Sequence, residues 1–300
     1  MAGGTTLVDL MKLGVETPTQ LVDVTALPLA QVESLPNGGL RIGAMVRNSD
    51  LAHHPVVLKD YAVLSDALLS GASPQLRNMA TTGGNLLQRT RCPYFRDPSY
   101  SNCNKRNPGS GCAAVSGHNR MMAILGTSDQ CIATHPSDMC VALTALEATI
   151  QVEGPKGRRS VAIGDFYKLP GTTPNIENAL EPGELITYVD LPAPRKASKQ
   201  VYLKLRDRAS YEFALASAAV VAEVSGGHVR SVRIALGGVG TRPWRAHEAE
   251  AALTGKPATT AHFRAAAEDA LKAAKPSSEN GFKVELARRC IVRAMTMASA

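Results

Sequence analysis

Four of the six cysteines, Cys92, Cys103, Cys112 and Cys131, fall in one stretch whose other residues oppose regular secondary structure. Pro93, Pro98, Pro108, Gly109 and Gly111 interrupt it between the first and third cysteine, so neither a helical nor a strand period survives there. A compact domain seldom holds so long a loop without a functional constraint. Four thiolates closing on a metal centre would supply one.

Spacing alone does not choose the metal. The gaps of ten, eight and eighteen residues match neither the paired C-x2-C of structural zinc nor the compact run of bacterial ferredoxins. An iron–sulfur cluster, zinc, and unligated or disulfide-bonded thiols all remain open. A disulfide scaffold is not needed, because 300 residues can bury a large core without staples. Cys140, in the apolar run Met139 to Leu146, and Cys290, in the last helical segment, read as core packing.

Charge gathers in the same place. From Arg77 to Arg120 seven cations (Arg77, Arg89, Arg91, Arg96, Lys105, Arg106, Arg120) face one anion, Asp97, a local +6 in a chain of +7. Such cations would lower thiol pKa values and offset the charge of a thiolate-ligated cluster. A nucleic-acid patch is disfavoured, since the rest of the chain is near neutral and stacking aromatics are scarce. No apolar run is long enough to span a bilayer, and Met1-Ala2-Gly3-Gly4 lacks the charged start and apolar core of a signal peptide. The expected location is cytoplasmic, or periplasmic by export in complex with a partner.

Length suggests about two domains. Pro192-Ala193-Pro194 with Arg195, Lys196 and Ser198 reads as a linker, dividing residues 1–192 from 198–300. Beyond it, strands are expected at Val201 to Leu205, Leu215 to Val224 and Val229 to Leu236, with Ser225-Gly226-Gly227-His228 as the hairpin turn. Helices are expected at Arg245 to Leu253, Thr260 to Ala274 and Glu279 to Ala298.

Two glycine turns precede the cysteines. Ala2-Gly3-Gly4-Thr5-Thr6 runs into Leu7, Val8, Leu10 and Met11 at helical spacing, with Gly14 as C-cap; backbone N–H groups at such a turn suit a phosphate. Met79-Ala80-Thr81-Thr82-Gly83-Gly84-Asn85 repeats the chemistry with hydroxyl and amide side chains. His135-Pro136-Ser137-Asp138 opens a further helix; Ser137 or Asp138 fits as N-cap, Asp138 alternatively as a ribose ligand, and His135 reads as a loop residue rather than a metal ligand.

Together with Asp9-Leu10-Met11-Lys12, Ala235-Leu236-Gly237-Gly238-Val239, Pro243 and Arg245-Ala246, these motifs resemble the FAD-binding subunit of the molybdenum hydroxylases, the xanthine dehydrogenase and carbon monoxide dehydrogenase family. Arg89-Thr90-Arg91-Cys92-Pro93-Tyr94-Phe95 and Cys103 through Cys112 resemble its bacterial periplasmic aldehyde oxidoreductase branch, whose flavin subunit carries an additional [4Fe–4S] cluster.

The resemblance implies an α+β chain: a vanillyl-alcohol-oxidase-type FAD domain of two α/β subdomains, with the cysteine loop 89–131 inserted, then a smaller C-terminal α+β domain with an antiparallel sheet and helices. The family's strand–helix–strand unit before Ala2-Gly3-Gly4-Thr5 is missing, so the first subdomain is expected to be incomplete. By motif, FAD would contact Gly3, Gly4, Thr5, Thr6 and Leu7, then Thr81, Gly84 and Asn85, with Asp138 near the ribose and Ile186 and Lys204 near the flavin ring. Cys92, Cys103, Cys112 and Cys131 would ligate the [4Fe–4S] cluster. Implied partners are a large molybdopterin-binding subunit carrying the molybdenum cofactor and a small [2Fe–2S] subunit, in a heterotrimer that oxidises aldehydes and passes electrons to FAD and an external acceptor. Two alternatives are an assembly subunit without flavin and a free-standing FAD oxidase with a zinc-stapled loop.

Overall fold

The computed structural model describes residues 1–300. Residues 1–31 contribute one helix, α1 (Leu7–Lys12), and no strand. As expected, Gly14 closes it, its N–H donating to Met11 O at 3.0 Å with φ +69°. There follow β1 (Val32–Ser34), β2 (Leu40–Gly43) and helices α2 (Asn48–Ala52), α3 (Pro55–Asp60), α4 (Ala62–Ser70), α5 (Pro74–Arg77) and α6 (Thr82–Leu86). The cysteine segment holds only single turns, α7 (Pro93–Arg96) and α8 (Ala113–Ser116). After it come α9 (Asp138–Ala145), β3 (Thr149–Gly154), β4 (Gly157–Ala162), α10 (Ile163–Phe166) and β5 (Leu185–Leu191).

The first sheet is antiparallel in the order β1-β2-β5-β3-β4. Its buried face alternates as a half-buried sheet must, with Leu40 and Ile42, Ile150 and Val152, and Val189 and Leu191 at 0–2% exposure. Helix α9 lies between α4 and the second sheet and is buried along all of its residues, which is why its sequence is apolar all round rather than striped. Cys140 sits here as a core residue, its thiol 3.0 Å from the Tyr167 hydroxyl.

The second sheet, β6 (Lys199–Leu205), β7 (Ala216–Ser225), β8 (His228–Gly237) and β9 (Trp244–Arg245), is also antiparallel in that order, and α11 (His247–Leu253), α12 (Thr260–Leu271) and α13 (Phe282–Ser299) cover one face. β7 is buried on both faces. Ala216, Ala218, Val220 and Ala222 point into the helical core, while Ala219 and Val221 join the core of the first region. Strand periodicity thus makes this sheet a wall shared by two cores. The β7–β8 turn pairs Ser225 with His228 across Gly226 (φ +60°) and Gly227 (φ +72°), as the sequence suggested.

α13 buries the stripe Ala287, Cys290, Ile291, Ala294, Met295 and Ala298 at three- and four-residue intervals, so Cys290 is again core. Three helices differ from expectation, α12 in ending at Leu271 rather than Ala274. Arg245 belongs to β9, where it pairs with Glu250 and Glu147. Residues 279–281 stay outside α13 because the Asn280 side chain accepts from Ser277 N–H at 2.6 Å and donates to Met122 O (3.2 Å) and Ala123 O (3.3 Å), bonds a helix interior would not permit.

Candidate functional site

A cleft of about 700 Å³ opens between the N-terminal turn, the second glycine turn, the start of α9 and the second sheet. Thr5, Thr6, Gly84, Asn85, Asp138 and Lys204 line it. Residues far apart in sequence are therefore brought to one cavity. Ile186 is not among the lining residues: at 3% exposure its side chain packs in the first core, opposite Val152 on β3.

The two glycine turns pack on each other. A Cβ at Gly3 would lie 1.8 Å from Met79 O, so only glycine permits the N-terminal turn to reach the segment leading into Thr81. Gly4 adopts φ +70°. The N–H groups of Gly3, Gly4, Thr5 and Thr6 donate to no backbone acceptor, leaving four consecutive donors beside the cleft. The second turn differs. Thr82 and Gly83 donate to Val46 O (2.9 Å) and Ala44 O (2.8 Å), and Gly84 donates to the Thr81 hydroxyl at 3.2 Å. Thr81 is thus a buried cap outside the cleft lining. Asn85 Oδ1 accepts from Ser137 Oγ (2.6 Å) and Gln88 Nε2 (2.7 Å), which leaves its NH₂ group without a protein acceptor.

Ser137, not Asp138, caps α9, its hydroxyl accepting from Cys140 N–H at 3.1 Å. That frees the Asp138 carboxylate, which accepts from the Tyr202 hydroxyl at 2.6 Å and from Lys204 Nζ at 2.8 Å. Lys204, on β6, is buried with it. Its side chain is 3% exposed, that of Asp138 9%, and Nζ also donates to Ser70 O at 3.0 Å. Burial first, then the neighbouring Asp138 carboxylate, hold the Tyr202 hydroxyl well above its ordinary pKa, so it stays a donor.

The cleft suits a large polar ligand. Asn48 Oδ1, His135 Nε2 and Ser217 Oγ are buried without a hydrogen-bond partner, and all three residues line it. Unmatched buried polar atoms each cost about 1–3 kcal/mol, which a ligand's own polar groups would offset. His135 is held neutral, burial pushing its pKa down to about 3. Sequence reasoning assigned none of these three to the site; a polar residue on an alternating strand, as at Ser217 between Ala216 and Ala218, was the available signal.

The cysteines close on one another in a small apolar core with Leu10, Tyr94, Phe95 and Met122. Cys103 and Cys112 face each other across an antiparallel bridge, and Asn104 Oδ1 gathers the intervening turn by accepting from Gly109 N–H (3.0 Å) and Gly111 N–H (2.9 Å). The Cys131 thiol bonds to Cys112, lowering the Cys112 pKa with help from the Ala114, Ile132 and Val115 N–H groups. Burial pushes Cys92 up to about 11, against the N–H groups of Phe95 and Tyr94, and Cys103 and Cys112 add to the rise. No disulfide forms, and no three His, Cys, Asp or Glu side chains close to the spacing of a single metal ion. The four thiols therefore stand free and gathered in one buried pocket, several facing backbone N–H groups. Cys92 also lines the large cleft.

The basic excess around the cysteines is largely internal. Arg91 and Arg96 pair with Asp9, Lys105 and Arg89 with Glu177, Arg89 also with Glu16, and Arg120 with Asp207, all acids outside the local window. Arg77 and Arg106 donate to backbone carbonyls. Cys131 is pushed up, first by Cys112 and then by burial, with Lys105 the cation that opposes the rise. Burial alone would raise the Glu177 carboxyl, but Lys105 and Arg89 hold it below the ordinary carboxylate range.

No helix is long and apolar enough to cross a membrane. Comparison with known proteins places this arrangement. Residues 1–194 match the family described as FAD binding domain in molybdopterin dehydrogenase, and residues 201–298 the CO dehydrogenase flavoprotein C-terminal domain. The chain is 53% identical to the aldehyde oxidoreductase FAD-binding subunit PaoB of Escherichia coli, over 100% of this chain and 91% of that protein. It is 30% identical to the glyceraldehyde dehydrogenase medium chain of Sulfolobus acidocaldarius, over 85% of this chain and 73% of that one. Among solved structures, a carbon monoxide dehydrogenase from Hydrogenophaga pseudoflava superposes with a TM-score of 0.76 at 29% identity, over 99% of this chain and 88% of that one. With an FAD-binding domain, a flavoprotein C-terminal domain and antiparallel sheets in both, the chain belongs to the FAD-binding subunits of the molybdenum hydroxylases.

Proposed function

We propose that the chain is the FAD- and [4Fe–4S]-containing electron-transfer subunit of an aldehyde-oxidising molybdenum hydroxylase. The observation that carries this reading is the convergence of four thiols in a loop whose first cysteine, Cys92, also lines the cleft, so that cluster and flavin would be neighbours. Residues 1–192 would hold both groups and residues 198–300 would supply the far wall of the cleft. The free N–H groups of Gly3 to Thr6 would bind the pyrophosphate, and the Asn85 NH₂ group would orient it. Asp138 would meet the ribose while Tyr202 and Lys204 fix its carboxylate in place. Bound flavin supplies the exchange between two-electron and one-electron chemistry; the protein supplies orientation and the exclusion of water.

Partner subunits complete the scheme. A large subunit would carry the molybdenum cofactor and a small one the [2Fe–2S] clusters from which electrons reach this chain, before an external acceptor takes them. The relatives' names, an aldehyde oxidoreductase and a glyceraldehyde dehydrogenase, favour an aldehyde as the substrate class of the whole assembly. Location in cytoplasm or periplasm would follow that of the partners.

Co-expression with both partner subunits, followed by flavin, iron and sulfide analysis, tests the reading. Flavin and, beyond the iron of the [2Fe–2S] subunit, four further irons are expected, these four being lost in Cys92→Ser, Cys103→Ser, Cys112→Ser and Cys131→Ser and kept in Cys140→Ser. Full iron in Cys131→Ser with loss in Cys140→Ser would overturn the ligand set. A monomer that holds both groups and co-elutes with neither partner would overturn the relay.

A further inference from the structure

Lys283, the second residue of α13, is 0% exposed and meets no carboxylate. Its Nζ donates to Met121 O (3.1 Å), Met122 O (3.0 Å) and Gly238 O (2.7 Å). The three donors of the ammonium are thereby matched, but its charge has no counter-ion within the protein. Neighbouring Arg120 is already paired with Asp207. A buried charge without an opposite charge is costly, and burial pushes this ammonium down to about 7.

The three carbonyls belong to residues that line the cleft. Asn280 reinforces the latch by donating to Met122 O and Ala123 O, at 3.2 and 3.3 Å. With the pyrophosphate assigned to the Gly3–Thr6 turn, this wall, where Met121, Met122, Phe213 and Ala214 are apolar, fits a flat ring rather than a phosphate. We infer that Lys283 is a positioning residue of the flavin site: it clamps the Met121–Met122 and Gly237–Gly238 turns together and presents its unmatched positive charge, through that wall, to the ring. The inference rests on the flavin reading. Reduction by two electrons and one proton leaves a ring with a net negative charge, and this charge is the missing counter-ion. Lys283 therefore favours the reduced flavin.

The test uses the full chain in complex with its partners. Lys283→Gln keeps two N–H donors for the carbonyls and is expected to fold; Lys283→Met removes all of them. Both should shift the flavin redox equilibrium toward the oxidised form by about tenfold, about 30 mV for a two-electron couple. A merely structural role would lower the thermal midpoint and leave that equilibrium alone. A Lys283→Gln protein with full FAD occupancy and a redox equilibrium within twofold of wild type would overturn the proposal. Absence of FAD from the wild-type complex would instead sink the flavin reading, and this inference with it.

Discussion

Replacing Lys204 by methionine should expose what the buried pair with Asp138 is worth. The substitution keeps most of the apolar stem and removes an ammonium that is 2.8 Å from a carboxylate, in side chains only 3% and 9% exposed. Removing one member of such a pair leaves an uncompensated charge and costs about 3–5 kcal/mol. Two features of the site argue for the lower end. The Tyr202 hydroxyl still donates to Asp138 Oδ1 at 2.6 Å, and Ser70 O keeps a donor in Arg206 at 3.1 Å. The expected loss is therefore about 3 kcal/mol. Asp138→Asn combined with Lys204→Met removes both charges while the amide oxygen still accepts from Tyr202, so the double variant should regain at least half of the loss. Urea unfolding at pH 7, compared at a common slope, reads both numbers. A single variant within about 1 kcal/mol of wild type, or a double variant less stable than the single, would show that the pair is not the stabilising unit described.

Glu177→Gln should destabilise by about 2 kcal/mol at pH 7, since the carboxylate receives charge-assisted bonds from Lys105 at 2.7 Å and Arg89 at 3.1 Å. Its folded pKa lies below the ordinary value of 4.5, so this contribution is complete above that pH and disappears as pH falls through the folded value; wild-type and variant thermal midpoints should converge there, and a gap unchanged down to pH 3 would contradict it. Gly3→Ala places a methyl against Met79 O and should abolish most FAD occupancy, read as the ratio of flavin to protein absorbance, with the second core unaffected. Cys290→Ala should leave iron content unchanged and lower stability by about 1 kcal/mol, because it only trims a core side chain that is fully buried.

Periodicity and local chemistry made the second region legible. The β7–β8 hairpin, its Gly226-Gly227 turn and the α13 stripe depend on spacings of two, three and four residues that any reader of the chain can see. The two glycine turns and the four cysteines were legible for a similar reason: each group is a cluster of unusual residues close in sequence. What the sequence could not show is which distant groups would meet. The surplus of cations between Arg77 and Arg120 looks like a basic surface until folding brings Asp9, Glu16, Glu177 and Asp207 against it. The resemblance places both Lys204 and Ile186 near the flavin ring, but does not show that the first is buried against Asp138 and the second against Val152. Lys283 carries no local mark at all, because its environment consists of backbone carbonyls at positions 121, 122 and 238. Local structure follows from nearest neighbours along the chain, but burial and charge pairing are sums over neighbours in space, and only the packed sheets determine those.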